Sequence, residues 1–190
     1  MQTKKILLGA TGASGSPLLL ECLRILKTET QYTSALILSV GAEKTLLHET
    51  GKTRAEVEAL ADECFRINDL GAKPASGSYA TAGMCIVPCS MKTVAGIWAG
   101  YAENLLLRAA DVTIKEKRPL VLAPREMPLS TIHLRNLHDL STLPNVHILP
   151  PMMTYYHRPQ TLAEMTRQVA ARLLLPFGIE AQGFFRWSGL

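Results

Sequence analysis

Few folds accommodate the opening of this chain. Lys5-Ile6-Leu7-Leu8 is an apolar run that breaks into Gly9-Ala10-Thr11-Gly12-Ala13-Ser14-Gly15 and resumes at Ser16-Pro17 as a segment with proline in a first helical turn. That is a buried strand, a tight turn and a helix start, the first unit of an α/β domain. Glycines at 9, 12 and 15 let the backbone turn sharply and bring N–H groups close to an anion, which the positive end of the following helix favours. Thr11, Ser14 and Ser16 add hydroxyls at the same mouth.

The glycine spacing is G-x-x-G-x-x-G, whereas dinucleotide sites use G-x-G-x-x-G with an acidic residue closing a second strand. The pattern therefore predicts a mononucleotide loop, with FMN as the leading guest. A glycine-rich first turn of an α/β domain with no ligand is the plain alternative.

Further along, Ala35-Leu36-Ile37-Leu38 reads as a second buried strand ending at Ser39, and Ala42 to Glu49 has a helical mix. Thr53-x-x-Glu56 is a capping box opening another helical turn. Asn68 to Ala80 is too rich in Gly, Pro and Ser for either element and predicts a loop, either a passive connection or a cover over a ligand. Met84 to Val87 is a third strand, and Pro88-Cys89-Ser90-Met91-Lys92-Thr93 leads into a helix predicted to run to about Ala110, with Val94, Ile97, Trp98, Tyr101, Leu105 and Leu106 as a core stripe. Pro119 to Ala123 is a fourth strand and Val146 to Leu149 a fifth, with helices over 129–143 and 160–175. Strands alternating with helices predict an α/β fold, a doubly wound (Rossmann- or flavodoxin-like) parallel sheet flanked by helices, in one domain spanning 1–190. Ligands then belong at the carboxyl ends of the strands, which places Ser90, Lys92 and Thr93 beside the first glycine loop. Pro124-Arg125-Glu126-Met127-Pro128 closes the fourth strand at that edge and sets a cation beside a carboxylate, either as a site or as an ion pair tying down a turn.

At 190 residues, 47% hydrophobic and 19% charged, the chain has the make-up of one ordinary globular domain. A net charge of +4 without a Lys/Arg block gives nucleic-acid binding no support, and the absence of a membrane-length apolar run or a signal-peptide layout predicts a cytoplasmic protein with no membrane partner. Cys22, Cys64 and Cys85 read as buried free thiols, with Cys89 left open, and no C-x-x-C spacing suggests a metal. His133 and His138 are five apart and share no helix face. Residues 176–190, with Phe184, Phe185 and Trp187, predict a tail docking on a neighbouring subunit.

With these motifs in view, the chain resembles the flavin prenyltransferase (UbiX/Pad-type) family, known under the older label of aromatic-acid decarboxylases. The resemblance rests on Thr-Gly-Ala-Ser-Gly at 11–15, Pro-Ala-Ser-Gly-Ser at 74–78, Pro-Cys-Ser-Met-Lys-Thr at 88–93, Arg-Ala-Ala-Asp at 108–111, Lys-Glu at 115–116, Pro-Arg-Glu-x-Pro-Leu-Ser at 124–130 and Tyr-His-Arg-Pro at 156–159. It implies a metal-independent enzyme that joins a dimethylallyl group from dimethylallyl monophosphate to N5 and C6 of reduced FMN, making prenylated FMN for a downstream aromatic-acid decarboxylase. It also implies a homo-oligomer, a dodecamer in many relatives, with sites at subunit contacts. Carried over by motif, Gly12, Ala13, Ser14, Ser39, Ser90, Met91, Lys92, Thr93 and Arg125 hold FMN, while Lys115, Arg125, Tyr156 and Arg172 surround the allyl phosphate. Glu126 is the acid/base residue, with burial and nearby cations tuning it; Ser14 relays a proton at N5, Lys115 assists catalysis, and Glu49 and Arg108 support the site. His157 is expected to fix its loop by a hydrogen bond. Leu70 stands where some relatives carry a tryptophan facing the allyl group. The competing readings are an FMN carrier and an FMN-dependent decarboxylase without prenyl transfer; the histidine near the start and the Pro-x-Met-Asn motif of cysteine-type decarboxylases are missing.

Overall fold

Alternation along the strands determines how the two faces of the sheet are covered. In the computed structural model, which describes residues 4–189, strand β1 (Lys5–Ala10) sends Ile6 and Leu8 to one face and Leu7 to the other, as a period of two requires. The same split recurs in β2 (Thr33–Leu38) and β4 (Gly83–Cys89), so the molecule has two cores, one on each face. Helices α1 (Ser16–Glu29), α2 (Val40–Thr50) and α7 (Leu162–Leu174) cover the first face; α4 (Met91–Trp98), α5 (Leu105–Lys115) and α6 (Thr131–Ser141) cover the second. Leu19 and Leu23 of α1 are fully buried, each worth about 1.5–3 kcal/mol of transfer free energy.

The sheet has six parallel strands in the order β3-β2-β1-β4-β5-β6, with β3 at Glu63–Arg66, β5 at Leu120–Pro124 and β6 at Val146–Ile148. Successive strands are added on one side of β1 up to β3 and on the other side from β4 onward, so the crevice of a doubly wound sheet opens between β1 and β4. Gly9 is needed for the packing beneath it: a Cβ would stand 3.1 Å from Leu106 Cδ1 of α5.

Three expectations are corrected. The sixth strand, β3 (Glu63–Arg66), was not read from the sequence: it is a four-residue edge strand paired only with β2, and its Cys64 and Phe65 are too short an apolar signal. Cys64 is exposed there, not buried. The single helix expected from 90 to 110 is two, because Gly100 takes a left-handed φ of 65° and Asn104 caps a new start by accepting the Leu107 N–H at 3.1 Å. That break puts Tyr101 in the connector, 62% exposed, and Trp98, the last residue of α4, leaves the expected core stripe at 39% exposed with its indole N–H donating to Asp139 of α6 at 2.8 Å. The capping box at Thr53 forms as read and opens α3 (Arg54–Glu58).

Candidate active site

The carboxyl ends of β1, β2 and β4 border a cleft of about 870 Å³, within the roughly 300–1,000 Å³ typical of small-molecule sites. Thr11 and Gly12 enter from the glycine loop, Ser39 from the end of β2, and Ser90, Lys92 and Thr93 from the start of α4. Of the residues expected to hold a flavin, Gly12, Ser39, Ser90, Lys92 and Thr93 line it; Ala13 and Met91 are buried beside it, and Arg125 is not part of its lining.

Local chemistry fixes this mouth. Thr11 donates its hydroxyl to the Pro88 carbonyl at 3.1 Å and accepts the Ser90 N–H at 2.7 Å, stitching the ends of β1 and β4 together. Ser39 and Ser90 cap α2 and α4 by accepting the N–H groups of Ala42 and Thr93. A hydroxyl that accepts from its helix keeps its own proton, and the first-turn N–H groups of both helices point outward. Gly12 and Gly41 lie backbone to backbone: a Cβ on Gly41 would stand 3.1 Å from Gly12 Cα. Gly41 is absent from the sequence reading, although a glycine three residues after a strand end carries the signal. Apolar walls come from Ile67, Leu106 and Leu107. Hydroxyls, helix starts and one ammonium suit a phosphate, and the apolar walls suit a planar ring, so the donor set fits a flavin mononucleotide.

The start of α1 behaves differently from the expectation. Gly15, at its cap position, has no side chain to cap with, and Glu49 from the end of α2 supplies the cap instead. Its carboxylate accepts the Gly15 N–H at 3.1 Å and the Ser16 N–H at 2.8 Å. Partial burial disfavours its charge, but hydrogen bonds from the Ser14 hydroxyl and from the Gly15 and Ser16 N–H groups outweigh burial and hold its pKa below the ordinary carboxylate value. The anion at the α1 start is thus a side chain of the protein, and it lies beside Ser14.

The remaining predicted residues lie apart from the cleft lining. Arg125 and Glu126 are both exposed and make no ion pair with each other; Glu126 accepts the Met127 N–H at 3.2 Å. The expected burial of Glu126 among cations is therefore not supplied by its own chain. Lys115 sits in the last turn of α5, about 12 Å along the helix beyond Leu107, the last α5 residue that lines the cleft, and pairs with Glu116 beside Gly77. Arg108 donates to the Ala75 carbonyl at 3.1 Å and pairs with Asp111 at 2.6 Å, so it holds the 68–80 loop along α5. Only the start of that loop, at Asn68, reaches the cleft.

Arg172 lines a second cavity of about 250 Å³ with Leu149, Pro150, Gln168 and Phe184. The Tyr156 ring lies 5.0 Å from Trp187, and His157 lies 6.1 Å from Phe185. Both His157 ring nitrogens are buried without a partner, so the loop-fixing bond expected of it is not made. Phe177, Ile179 and Ala181 of the tail are buried in the protein's own core, and Gln168 pins both polar backbone groups of Phe185. Burial pushes the Cys22, Cys85 and Cys89 thiols far up, so Cys89 is inert beneath the Ser90 corner. Among the described residues no three His, Cys, Asp or Glu side chains gather as metal ligands, and no helix is long and apolar enough to cross a membrane.

The Flavoprotein family matches residues 1–170. A probable UbiX-like flavin prenyltransferase of Streptomyces sp. (strain D7) is 47% identical over 186 residues, covering 98% of this chain and 92% of the relative. Flavin prenyltransferase UbiX of Salmonella typhimurium is 43% identical, with 98% and 99% covered. Among solved structures, AnUbiX (PadA1) in complex with FMN and dimethylallyl pyrophosphate superposes with a TM-score of 0.95 at 38% identity over 100% of both chains. A dodecameric FMN-dependent UbiX-like decarboxylase from Escherichia coli O157:H7 gives 0.94 at 46% identity, covering 97% of this chain and 100% of that one. A glycine loop and two capped helix starts around one cleft, in a chain matched from end to end, place it in the flavoprotein family and, within that, among the UbiX-like flavin prenyltransferases.

Proposed function

We propose that this protein transfers a dimethylallyl group from dimethylallyl monophosphate to reduced FMN, forming bonds at N5 and C6 and releasing inorganic phosphate, with prenylated FMN passed to a decarboxylase. The observation that carries the reading is the cleft at the β1/β4 crevice, whose donors suit a phosphate and whose walls suit a planar ring.

The reduced flavin supplies the nucleophilic N5 and C6 positions. Lys92, Ser90, Thr93 and Ser39 bind its phosphate, and Gly12 with Ala13 lets the backbone come close to the ring. Ser14, beside the Glu49 carboxylate, holds a proton at N5. Breaking the allylic C–O bond leaves its electron pair on phosphate, so cations must stand where that charge develops. Arg125, Lys115 and Arg172 fill that role, with Tyr156 donating to a phosphate oxygen and Glu126 moving a proton at the departing group. Lys115 lies eight residues, about 12 Å, beyond Leu107, the last residue of α5 that lines its own cleft, and serves the site of a neighbouring copy, which makes the active site composite. The same packing covers Glu126 and the exposed Phe185 and Trp187 side chains, excluding water from the allyl group.

The test is anaerobic incubation of the protein with reduced FMN and dimethylallyl monophosphate, followed by mass analysis of the released flavin. A flavin heavier by one five-carbon prenyl unit is expected; unmodified FMN that copurifies and never reacts would make the protein a carrier.

A further inference from the structure

We infer that Glu103 is a built-in competitor for the flavin phosphate, pairing with Lys92 when the site is free and giving it up when the phosphate arrives. The inference rests on FMN occupying this cleft and concerns how tightly it is held there.

Among all residues lining the cleft, Lys92 and Glu103 are the two that carry charge. Their Nζ and Oε1 atoms are 3.5 Å apart, and the Lys92 side chain is 87% exposed. Lys92 stands in the first turn of α4, where a phosphate is favoured by the helix start and by the Ser90 and Thr93 hydroxyls. Glu103 reaches it from the 99–104 connector, whose path is set by the left-handed turn at Gly100 and by the Asn104 cap on α5. A carboxylate there occupies the same ammonium that a phosphate oxygen needs, and once displaced it remains close enough to repel the dianion.

Binding therefore carries the cost of breaking one ion pair, and release is assisted by its re-formation. An enzyme whose flavin leaves as product needs such a limit, because every neutral donor in the cleft otherwise favours retention. The rest of the flavin has no part in this exchange, so Glu103 acts on the phosphate alone.

The test uses the full-length protein in its native assembly, titrated with oxidised FMN and with riboflavin by fluorescence quenching. Glu103→Gln is expected to lower the FMN Kd about fivefold, the upper end of what an exposed ion pair carries, chiefly through a slower off-rate, and to leave riboflavin unchanged. In a Lys92→Gln background the same substitution should gain clearly less, and Glu103→Asp should behave as wild type. Raising ionic strength should shrink the difference between wild type and Glu103→Gln. Unchanged or weaker FMN binding in Glu103→Gln, or an equal shift for riboflavin, would overturn the inference while leaving the flavin site standing. Failure of the wild-type protein to bind FMN would remove both.

Discussion

Replacing Glu49 removes a helix cap that comes from another helix. Gly15 provides no capping side chain, and α1 has no acidic residue in its first turn, so Glu49 provides both the acceptor and the negative charge at that end. Loss of a capping acceptor costs about 0.5–2 kcal/mol and loss of a charge at a helix start about 0.3–1. Glu49→Ala should therefore destabilise the first turn of α1 by about 1–3 kcal/mol, and Glu49→Gln, which keeps one acceptor oxygen, by about 0.5–1. Leu18 and Leu19 lie in the turn that would fray. Amide hydrogen exchange over residues 16–20 reads this locally and avoids the coupling of global unfolding to assembly.

The sign of the pH effect follows from the depressed pKa. Unfolding returns Glu49 to its ordinary value, so its contribution is complete above pH 4.5 and is lost as pH falls through the lower folded value. Wild type and Glu49→Gln should converge in exchange protection in that acid window and separate above it. Unchanged protection in Glu49→Ala, or a wild-type advantage that grows on acidification, would refute the reasoning. With the carboxylate charge beside Ser14 removed, turnover should fall in both variants while FMN still binds.

Three other outcomes separate the pockets. Glu126→Gln should keep the FMN Kd within about twofold and lower turnover by about 10²–10⁴, the usual worth of a general acid or base; wild-type turnover would remove Glu126 from the mechanism. Tyr156→Phe and Arg172→Ala should raise the allyl-phosphate KM more than the FMN Kd, with Arg172→Ala costing about 10–100-fold for a lost charged hydrogen bond; the reverse ranking in steady-state kinetics would exchange the two pockets. Gly77→Ala would place a Cβ 2.1 Å from Glu116 Oε1 and 2.9 Å from Lys115 Nζ, driving both flexible ends aside. Its allyl-phosphate KM should rise about tenfold with the stability of the fold altered by less than about 1 kcal/mol, and an unchanged KM would take Lys115 out of the site.

Local signals in the sequence were enough for much of this protein. The apolar run into Gly9, Pro17 in a first turn and the Thr53 capping box each depend on near neighbours, and each forms where expected. Ser90, Lys92 and Thr93 were placed at the cleft for the same reason, since a strand end leading into a helix start fixes the edge they occupy. Features that depend on distant partners were hidden. The edge strand β3 exists because β2 offers it a ladder, and the apolar spacing from Val94 to Leu106 could not show that Gly100 and Asn104 would divide the helix. Tertiary packing alone decided that Glu49, 33 residues from Ser16, takes the anion position at α1, and that Glu103 meets Lys92 across the cleft. It also decided that Lys115 lies at the far end of α5 from the cleft whose chemistry it was expected to serve. Which side chains share a site is a matter of distances between elements, and periodicity along one element carries no information about them.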